Sequence, residues 1–464
     1  MTAARILIAG GGFSGTAVAI ELARMSSVPL EITVVEPREM PGGGVAYSTA
    51  EPSHRINVSA DRMQLSGDEP GAFDRWYRQQ PESVLDPAAH CADGSVYPQR
   101  GQFGRYLAQQ FAAASRFPQV KLQHRRARAL SWEGQQLLLS DGDVLRGDVL
   151  VLAISHPPPS LPALLQPFSG HPALIANPWQ PGVLDTLDPQ ARVGIIGTGL
   201  SMADVVAALE RRQHRGPLLA FSRRGQRSRA NLSGEWPAWT LAPCPAARAR
   251  AWLRHTRAEI ARAAAQGIPW QRVLDAVRAQ GQQIWQALPL AEQQRFARHL
   301  RSWWDVHRYR VAPQVASAIA HRLAQGTLQV LAARMTDITS CGDQLALTLR
   351  LRSGAVQTQL LDHMVVTSGP AHDTLLTREP LLSSLAQQGL IQGDALGFGI
   401  AVDAQSRALN HQGQASGHLL VAGPAARGRF GELMGLPQVA DHAAAVARQI
   451  LHTLNAAYDG RCRR

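Results

Sequence analysis

Three glycines spaced Gly10-x-Gly12-x-x-Gly15, with a carboxylate at Glu36, are the residues of this chain most plainly suited to holding a phosphate-bearing ligand. Gly10 permits a tight turn, Gly12 lets the backbone approach a pyrophosphate, and Gly15 lets a helix pack closely on a strand. The N-terminus of the helix that follows the turn would offer free N–H groups and the positive end of its dipole. A carboxylate at the end of the next strand can accept a hydrogen bond from a ribose hydroxyl. Strand, turn, helix, strand and acid in register make a dinucleotide site. The pattern recurs at Gly197-Thr198-Gly199, followed by Leu200, Ser201 and, in place of the third glycine, Met202. Here the next strand ends in Ser222-Arg223-Arg224-Gly225. Two guanidinium groups facing the adenine ribose suit a 2′-phosphate, and so NADPH rather than NADH. The competing reading is two surface arginines in an arginine-rich protein.

The elements that must position these residues follow from the hydrophobic pattern. In the first unit, apolar strands over Ile6–Ala9 and Glu31–Val35 flank a helix over Thr16–Arg24. The glycine-rich stretch Pro41–Tyr47, which holds Gly44, and the stretch His54–Ala60, which holds Asn57, read as loops over the bound ligand. A helix follows, ending near Ala114. The pattern from Val120 to Leu152 reads as a β-meander leading into a strand at Val149–Ala153, which stops at the run Ile154-Ser155-His156-Pro157-Pro158-Pro159. In the second unit, the strand beginning at Val193 leads to a helix ending at Arg212. A second meander over Leu328–Leu361 precedes the strand Met364–Thr367 and Ser368-Gly369-Pro370. Between them, over about 236–326, lies a helical insert. Its stripe Trp270, Val273, Leu274, Val277, Ile284, Trp285 and Leu288, continued by Phe296, Leu300, Trp303 and Trp304, reads as the insert's own core. A last strand reaches Gly423-Pro424, and a helix over Leu436–Leu454 closes the chain. The fold class expected is α/β with two Rossmann-like domains: 1–160 as the first part of one, 190–362 as the other with the insert, and 363–464 as the C-terminal part of the first.

The chain has 464 residues, long enough for two or three cores. Its net charge of +12 is carried almost wholly by arginine, which suits anionic ligands. The arginines are spread along the sequence without a basic, aromatic-interleaved stripe, so nucleic acid is not the expected partner. No apolar run approaches the roughly 18 residues that span a bilayer, and the three consecutive glycines near the start argue against a signal peptide. A cytoplasmic protein with no membrane association is expected. The four cysteines, Cys91, Cys244, Cys341 and Cys462, lie far apart. They offer no CxxC dithiol, and no metal site is expected.

The chain resembles the two-dinucleotide-binding-domain flavoproteins, and among them an FAD/NAD(P)-binding protein family related to flavin-dependent monooxygenases. The resemblance rests on Gly42–Tyr47 with Asn57-Val58, on Pro98, Arg100, Gly104 and Tyr106, on Gly197–Asp204, on Ser222–Gly225, and on Trp304-Asp305-Val306-His307-Arg308-Tyr309-Arg310. It implies a glutathione-reductase-like fold. FAD would lie on Gly10, Gly12, Phe13, Ser14, Gly15, Glu36, Gly44, Asn57 and Gly423. NADPH would lie on Gly197, Gly199, Leu200, Ser201, Ser222, Arg223 and Arg224. Ala153-Ile154-Ser155 and Gly423-Pro424 depart from the Ala-Thr-Gly and Gly-Asp common in such proteins. The activity implied is NADPH-consuming hydroxylation of a small molecule by oxygen, through a flavin peroxide. An NADPH-dependent reductase serving a small acceptor, or a non-catalytic flavin-binding sensor or scaffold, would fit the same residues. No catalytic acid or base stands out. Trp304, Asp305, His307, Arg308 and Arg310 are the substrate-side candidates, with Trp304 and Arg308 expected on one helix face; an insert anchored by salt bridges is the alternative.

Overall fold

The computed structural model describes residues 3–462 except Ser155, Pro158, Pro245, Pro370, His372 and Asp373; the side chains of residues 456–462 lie outside the description as well. Sixteen strands among these residues form three sheets. β1 (Ala4–Ala9), β2 (Leu30–Val35), β3 (Val120–Arg125) and β7 (Val149–Leu152) join β15 (Arg407–Leu409) and β16 (Ala415–Val421) in the order β15-β16-β7-β1-β2-β3. All neighbours in it are parallel except β15 and β16. The near-continuous apolar runs of β1 and β7 follow from a sheet covered on both faces. β4 (Ala129–Glu133), β5 (Gln136–Leu139) and β6 (Val144–Arg146) form a separate antiparallel meander. The expected meander from Val120 is therefore corrected at its start: Val120–Arg125 pairs with β2 and completes the parallel sheet.

The second sheet has the order β13-β12-β11-β10-β9-β14-β8, from β8 (Leu174–Ile175), β9 (Val193–Ile196), β10 (Leu218–Ser222), β11 (Leu328–Cys341), β12 (Gln344–Leu351), β13 (Val356–Leu361) and β14 (His363–Val366). β11 serves two purposes. Its first residues, through Ala332, pair in parallel with β10, and from Ala333 on it runs antiparallel to β12, with an irregularity inside that second pairing at Met335/Asp337. The second meander is thus continuous with the sheet. The boundary expected at 362/363 also moves, because β14 lies between β9 and β8.

The insert is a run of helices, Ala249–Ala264, Trp270–Ala279, Gly281–Ala287, Leu290–His299 and Arg301–Arg308. It docks on the C-terminal segment as well as on its own sheet. Arg308 Nε donates to Glu432 Oε1 at 2.7 Å, Arg278 donates to the Leu436 carbonyl and to Gln438 Oε1, and Trp285 Nε1 donates to the Gly428 carbonyl. Between the two sheets, Arg100 on helix Arg100–Ala114 forms a two-pronged pair with Asp204 on helix Leu200–Arg211, at 2.7 and 3.0 Å. Glu51 joins Arg211 and Arg212 across the same junction. Burial pushes the Glu51 carboxyl up, but these guanidiniums and Ser53 outweigh it and hold it at about 2. The C-terminal helix Gln438–Cys462 lies along helix Phe13–Met25. No helix among the described residues is long and apolar enough to cross a membrane.

Two outcomes follow from these buried polar contacts. Asp204→Asn strands the Arg100 guanidinium and should cost about 3–5 kcal/mol, whereas Arg100→Met with Asp204→Leu should cost less; equal or additive losses in calorimetric unfolding would contradict the pairing. His442, buried beneath the last strand, accepts from the Gly423 N–H at Nδ1 (3.1 Å), so its Nε2–H faces Ser406 Oγ at 2.9 Å. Burial holds this imidazole neutral, with its pKa down at about 4. An unfolded histidine takes its proton near pH 6.5. The side chain therefore contributes stability above about pH 6.5 that is lost as pH falls towards 4, on the order of 3 kcal/mol in all. His442→Gln should flatten the unfolding-midpoint profile across that window, and parallel profiles would contradict this.

Candidate functional site

The first glycine turn is bare where a ligand would approach and crowded everywhere else. Gly10 has φ +101° and donates to the Val35 carbonyl at 2.9 Å, and a Cβ there would press on the Ala153 carbonyl. A Cβ on Gly15 would overlap the Gly10 carbonyl oxygen. At Gly12, by contrast, the nearest atom to an added Cβ is the Gly44 Cα at 3.4 Å. The loop carrying Gly44 is stitched over the turn by Gly42 N–H to the Gly11 carbonyl, 2.7 Å. The stretch expected as pure loop closes into one helical turn, Gly44–Tyr47, because Tyr47 N–H reaches the Gly43 carbonyl and its ring lies edge-on to Phe103. Glu36 is 3% exposed, and Oε2 accepts from the Gly11 N–H at 2.9 Å while Oε1 accepts from Arg38. The carboxylate is thus fixed beside the turn with lone-pair capacity for a ribose. Ser14 starts the helix in contact range of Gly423, where a Cβ would overlap its Oγ, while the Phe13 ring stacks on Phe103. The Asn57 side chain lies 3.5 Å from Arg100, and its carbonyl accepts from Asn231 across the cleft.

The second turn repeats this geometry. Gly197 has φ +117°, donates to the Phe221 carbonyl and is backed by Thr367, whereas a Cβ on Gly199 would meet nothing within 4 Å. Met202, in place of the third glycine, is buried. Leu200 and Ser201 open the helix and line the main cleft. Ser222 turns inward, accepting from Gly225 N–H at 3.0 Å and meeting Thr198 Oγ1 at 2.8 Å. Arg223 and Arg224 border a depression of about 470 Å³ with Arg334, Arg350 and Arg352, and Trp303 at its rim. Among the described residues none of these five arginines has an acidic partner within ion-pair distance. Arg334 and Arg350 are direct cross-strand neighbours, an arrangement that repels unless an anion lies between them. The sequence reading missed these three; a repeated Arg at every second position of a meander was the available signal.

One cleft of about 880 Å³ is lined by Asn57 and Arg100 from the first unit and by Leu200, Ser201 and Asp204, on the helix that follows the second turn. His156, within the proline run, also lines it. The substrate-side candidates do not stay together. Helix Arg301–Arg308 ends before Tyr309, and only Arg308 and Arg310 border the cleft. Trp304, Asp305 and His307 border a second cavity inside the insert. Trp304 and Arg308, four residues apart within that helix, share a face as expected, but the Arg308 guanidinium pairs with Glu432 and borders the cleft while Trp304 borders the second cavity. Arg310 is likewise engaged, with Asp275 Oδ1 at 3.0 Å and the Gln271 carbonyl at 3.2 Å. The His307 ring meets the Trp303 carbonyl at 2.7 Å and lies edge-on to Trp270. Burial pushes the Asp305 carboxyl up to about 6 against the pull of Arg301. The Trp stripe is also corrected. Trp285 and Leu288 are buried, but Trp270, Ile284, Phe296, Leu300 and Trp304 line that second cavity rather than closing it.

Residues 7–157 match the model of a family described as FAD-NAD(P)-binding. No curated protein matches the sequence. Among solved structures, ornithine hydroxylase from Pseudomonas aeruginosa in its reduced form is similar over 98% of this chain and 100% of its own, at 15% identity and a TM-score of 0.64. An ornithine N-hydroxylase from Kutzneria sp. 744, with reduced FAD, NADP+ and L-ornithine, covers 97% and 99% at 16% identity and 0.63. L-lysine 6-monooxygenase from Pseudomonas syringae covers 98% and 100% at 18% identity and 0.61. Residues 7–157 thus match an FAD-NAD(P)-binding family model, and the chain shares the α/β fold of these solved structures along nearly its whole length.

Proposed function

We propose that this protein is an FAD- and NADPH-dependent monooxygenase that hydroxylates a small molecule with molecular oxygen. The observation that carries the reading is the pair of glycine turns, at Gly12 and at Gly199, each with room at its middle glycine, in two units whose residues line one cleft together. The fold likeness to ornithine and lysine monooxygenases along nearly the whole chain supports it. In this reading residues 1–160 and the C-terminal segment after β14 hold FAD. Residues from 190 through β14 hold NADPH, and the enzyme works in the cytoplasm on a soluble substrate.

FAD, when bound, accepts hydride from NADPH and passes the electrons to oxygen. The chain's own contribution is binding, orientation and exclusion of water. The amides at the start of helix Phe13–Met25 face the FAD pyrophosphate, and Glu36, held by Gly11, accepts from its ribose. Gly199 leaves room for the second pyrophosphate at the start of helix Leu200–Arg211. The five arginines around the depression take the 2′-phosphate, and Trp303 offers a face to the adenine. Arg100 and Asp204 hold the two cradles at a fixed separation. Arg278 and Arg308 fasten the insert over the end of the cleft at residues 432–438.

Turnover under isotopically labelled oxygen gas, across small amines, purines and aromatic acids, tests the activity. Label in the product is expected. NADPH consumption with label only in peroxide or water, and electrons delivered to an added acceptor, would make the protein a reductase. No consumption with any compound would make it a sensor or scaffold. Arg223→Ala with Arg224→Ala should raise the KM for NADPH about tenfold to a hundredfold and leave that for NADH nearly unchanged. Adding Arg350→Ala should widen the gap. Equal losses with both nucleotides would reject the 2′-phosphate assignment.

A further inference from the structure

The cavity inside the helical insert has a volume of about 810 Å³ and lies on the other side of Tyr309 and Met434 from the cofactor cleft, since both residues border both spaces. Its walls are aromatic, with Trp252, Trp270, Trp285, Trp304, Phe296 and Phe398 among them. Such surfaces stack flat rings in preference to filling with water.

Charge enters this cavity unevenly. The Arg301 and Arg427 guanidiniums lie 4.7 and 5.0 Å from the centre of the Phe398 ring. Two carboxylates border the same cavity, Glu432 and Asp305. Glu432 is committed to Arg308, at 2.7 Å from Nε and 2.6 Å from Nη2. Asp305 reaches Arg301 only at 3.5 Å. Arg427 is 4% exposed. Among the described residues its guanidinium makes one hydrogen bond, to the Met434 thioether at 3.1 Å, and its Nε is buried without a partner. Burial, and then Arg301, pull its pKa down to about 10, so it remains a cation at neutral pH. Arg257 adds a further positive charge to the wall. Asp305 and Asp394 act on Arg427 from a distance, but among the described residues no carboxylate lies within ion-pair reach of it; a buried guanidinium so placed, at the edge of an aromatic cavity, is half of a recognition pair.

We propose that this cavity is a binding site, separate from the cofactor cleft, for an aromatic carboxylate whose ring stacks among Trp270, Trp285 and Trp304 and whose carboxylate pairs with Arg427 and Arg301. The inference goes beyond the flavin chemistry and does not depend on it. Binding heat, which needs no turnover, is therefore its readout.

The purified full-length protein is titrated calorimetrically with phenylpropionate, with the neutral phenylpropionamide and with the cationic phenylpropylamine. The acid should bind saturably, one per chain, and at least about tenfold more tightly than either analogue. Saturating NADPH should not displace it. Arg427→Gln should weaken the acid about tenfold or more and leave the amide unchanged. Arg301→Gln, at a partly exposed position, gives the same test if Arg427→Gln does not fold, with circular dichroism and flavin content as the check. Trp304→Ala should weaken acid and amide alike. No saturable binding, equal affinity for the three compounds, preference for the amine, displacement by NADPH, or indifference to the arginine substitutions would each overturn the proposal.

Discussion

A guanidinium and a carboxylate, buried face to face between two sheets, fix the distance on which the rest of this molecule depends. Arg100 belongs to the first sheet's unit and Asp204 to the second's. Arg100 opens helix Arg100–Ala114 and Asp204 lies near the start of helix Leu200–Arg211, so the pair ties the two units together. Arg100 is itself oriented, with Nε donating to the Arg55 carbonyl at 2.8 Å. Removing charges from water is expensive, and a pair of this kind survives only with its donors and acceptors matched. The matching selects one juxtaposition of the two units over others that would bury similar apolar area.

The same logic governs the insert. Its helices are short and interrupted at Gly281, Pro289 and Leu300, and they cannot bury their aromatic stripe among themselves. They are held instead by arginines that reach the segment after the last strand: Arg308 to Glu432, and Arg278 to Leu436 and Gln438. The arginine excess of the composition thus divides into three uses. Some guanidiniums are buried anchors, some ring the depression at Arg223 and Arg224, and Arg427 faces the aromatic cavity without an acidic partner.

Much of the fold was legible because its signals are local. Gly10, Gly12, Gly15 and Glu36 lie within one strand–helix–strand unit; the structure shows the positive φ of Gly10, the close packing at Gly15 and the Glu36 carboxylate held beside the turn by the Gly11 N–H. The second turn was legible for the same reason. What escaped the sequence is non-local. Arg334, Arg350 and Arg352 meet Arg223 and Arg224 because β11 pairs with β10 up to Ala332 and with β12 from Ala333, which brings the meander against the end of β10. The assignment of Val120–Arg125 to the parallel sheet depends on pairing with a strand some ninety residues earlier, which periodicity cannot reveal. Helical spacing in the tryptophan stripe identified helices correctly but not their neighbours, so an apolar face lining a cavity was read as one that closes a core.

The central claim is that two dinucleotides, one carrying a flavin, meet across the cleft that Arg100 and Asp204 hold open. Rapid mixing of the flavin-loaded protein with NADPH deuterated at the transferred position, without oxygen, tests it most directly. The account predicts loss of the oxidised-flavin absorbance in a single turnover, slowed by deuterium. A protein that takes up no flavin, or a bound flavin that NADPH leaves oxidised, would contradict it.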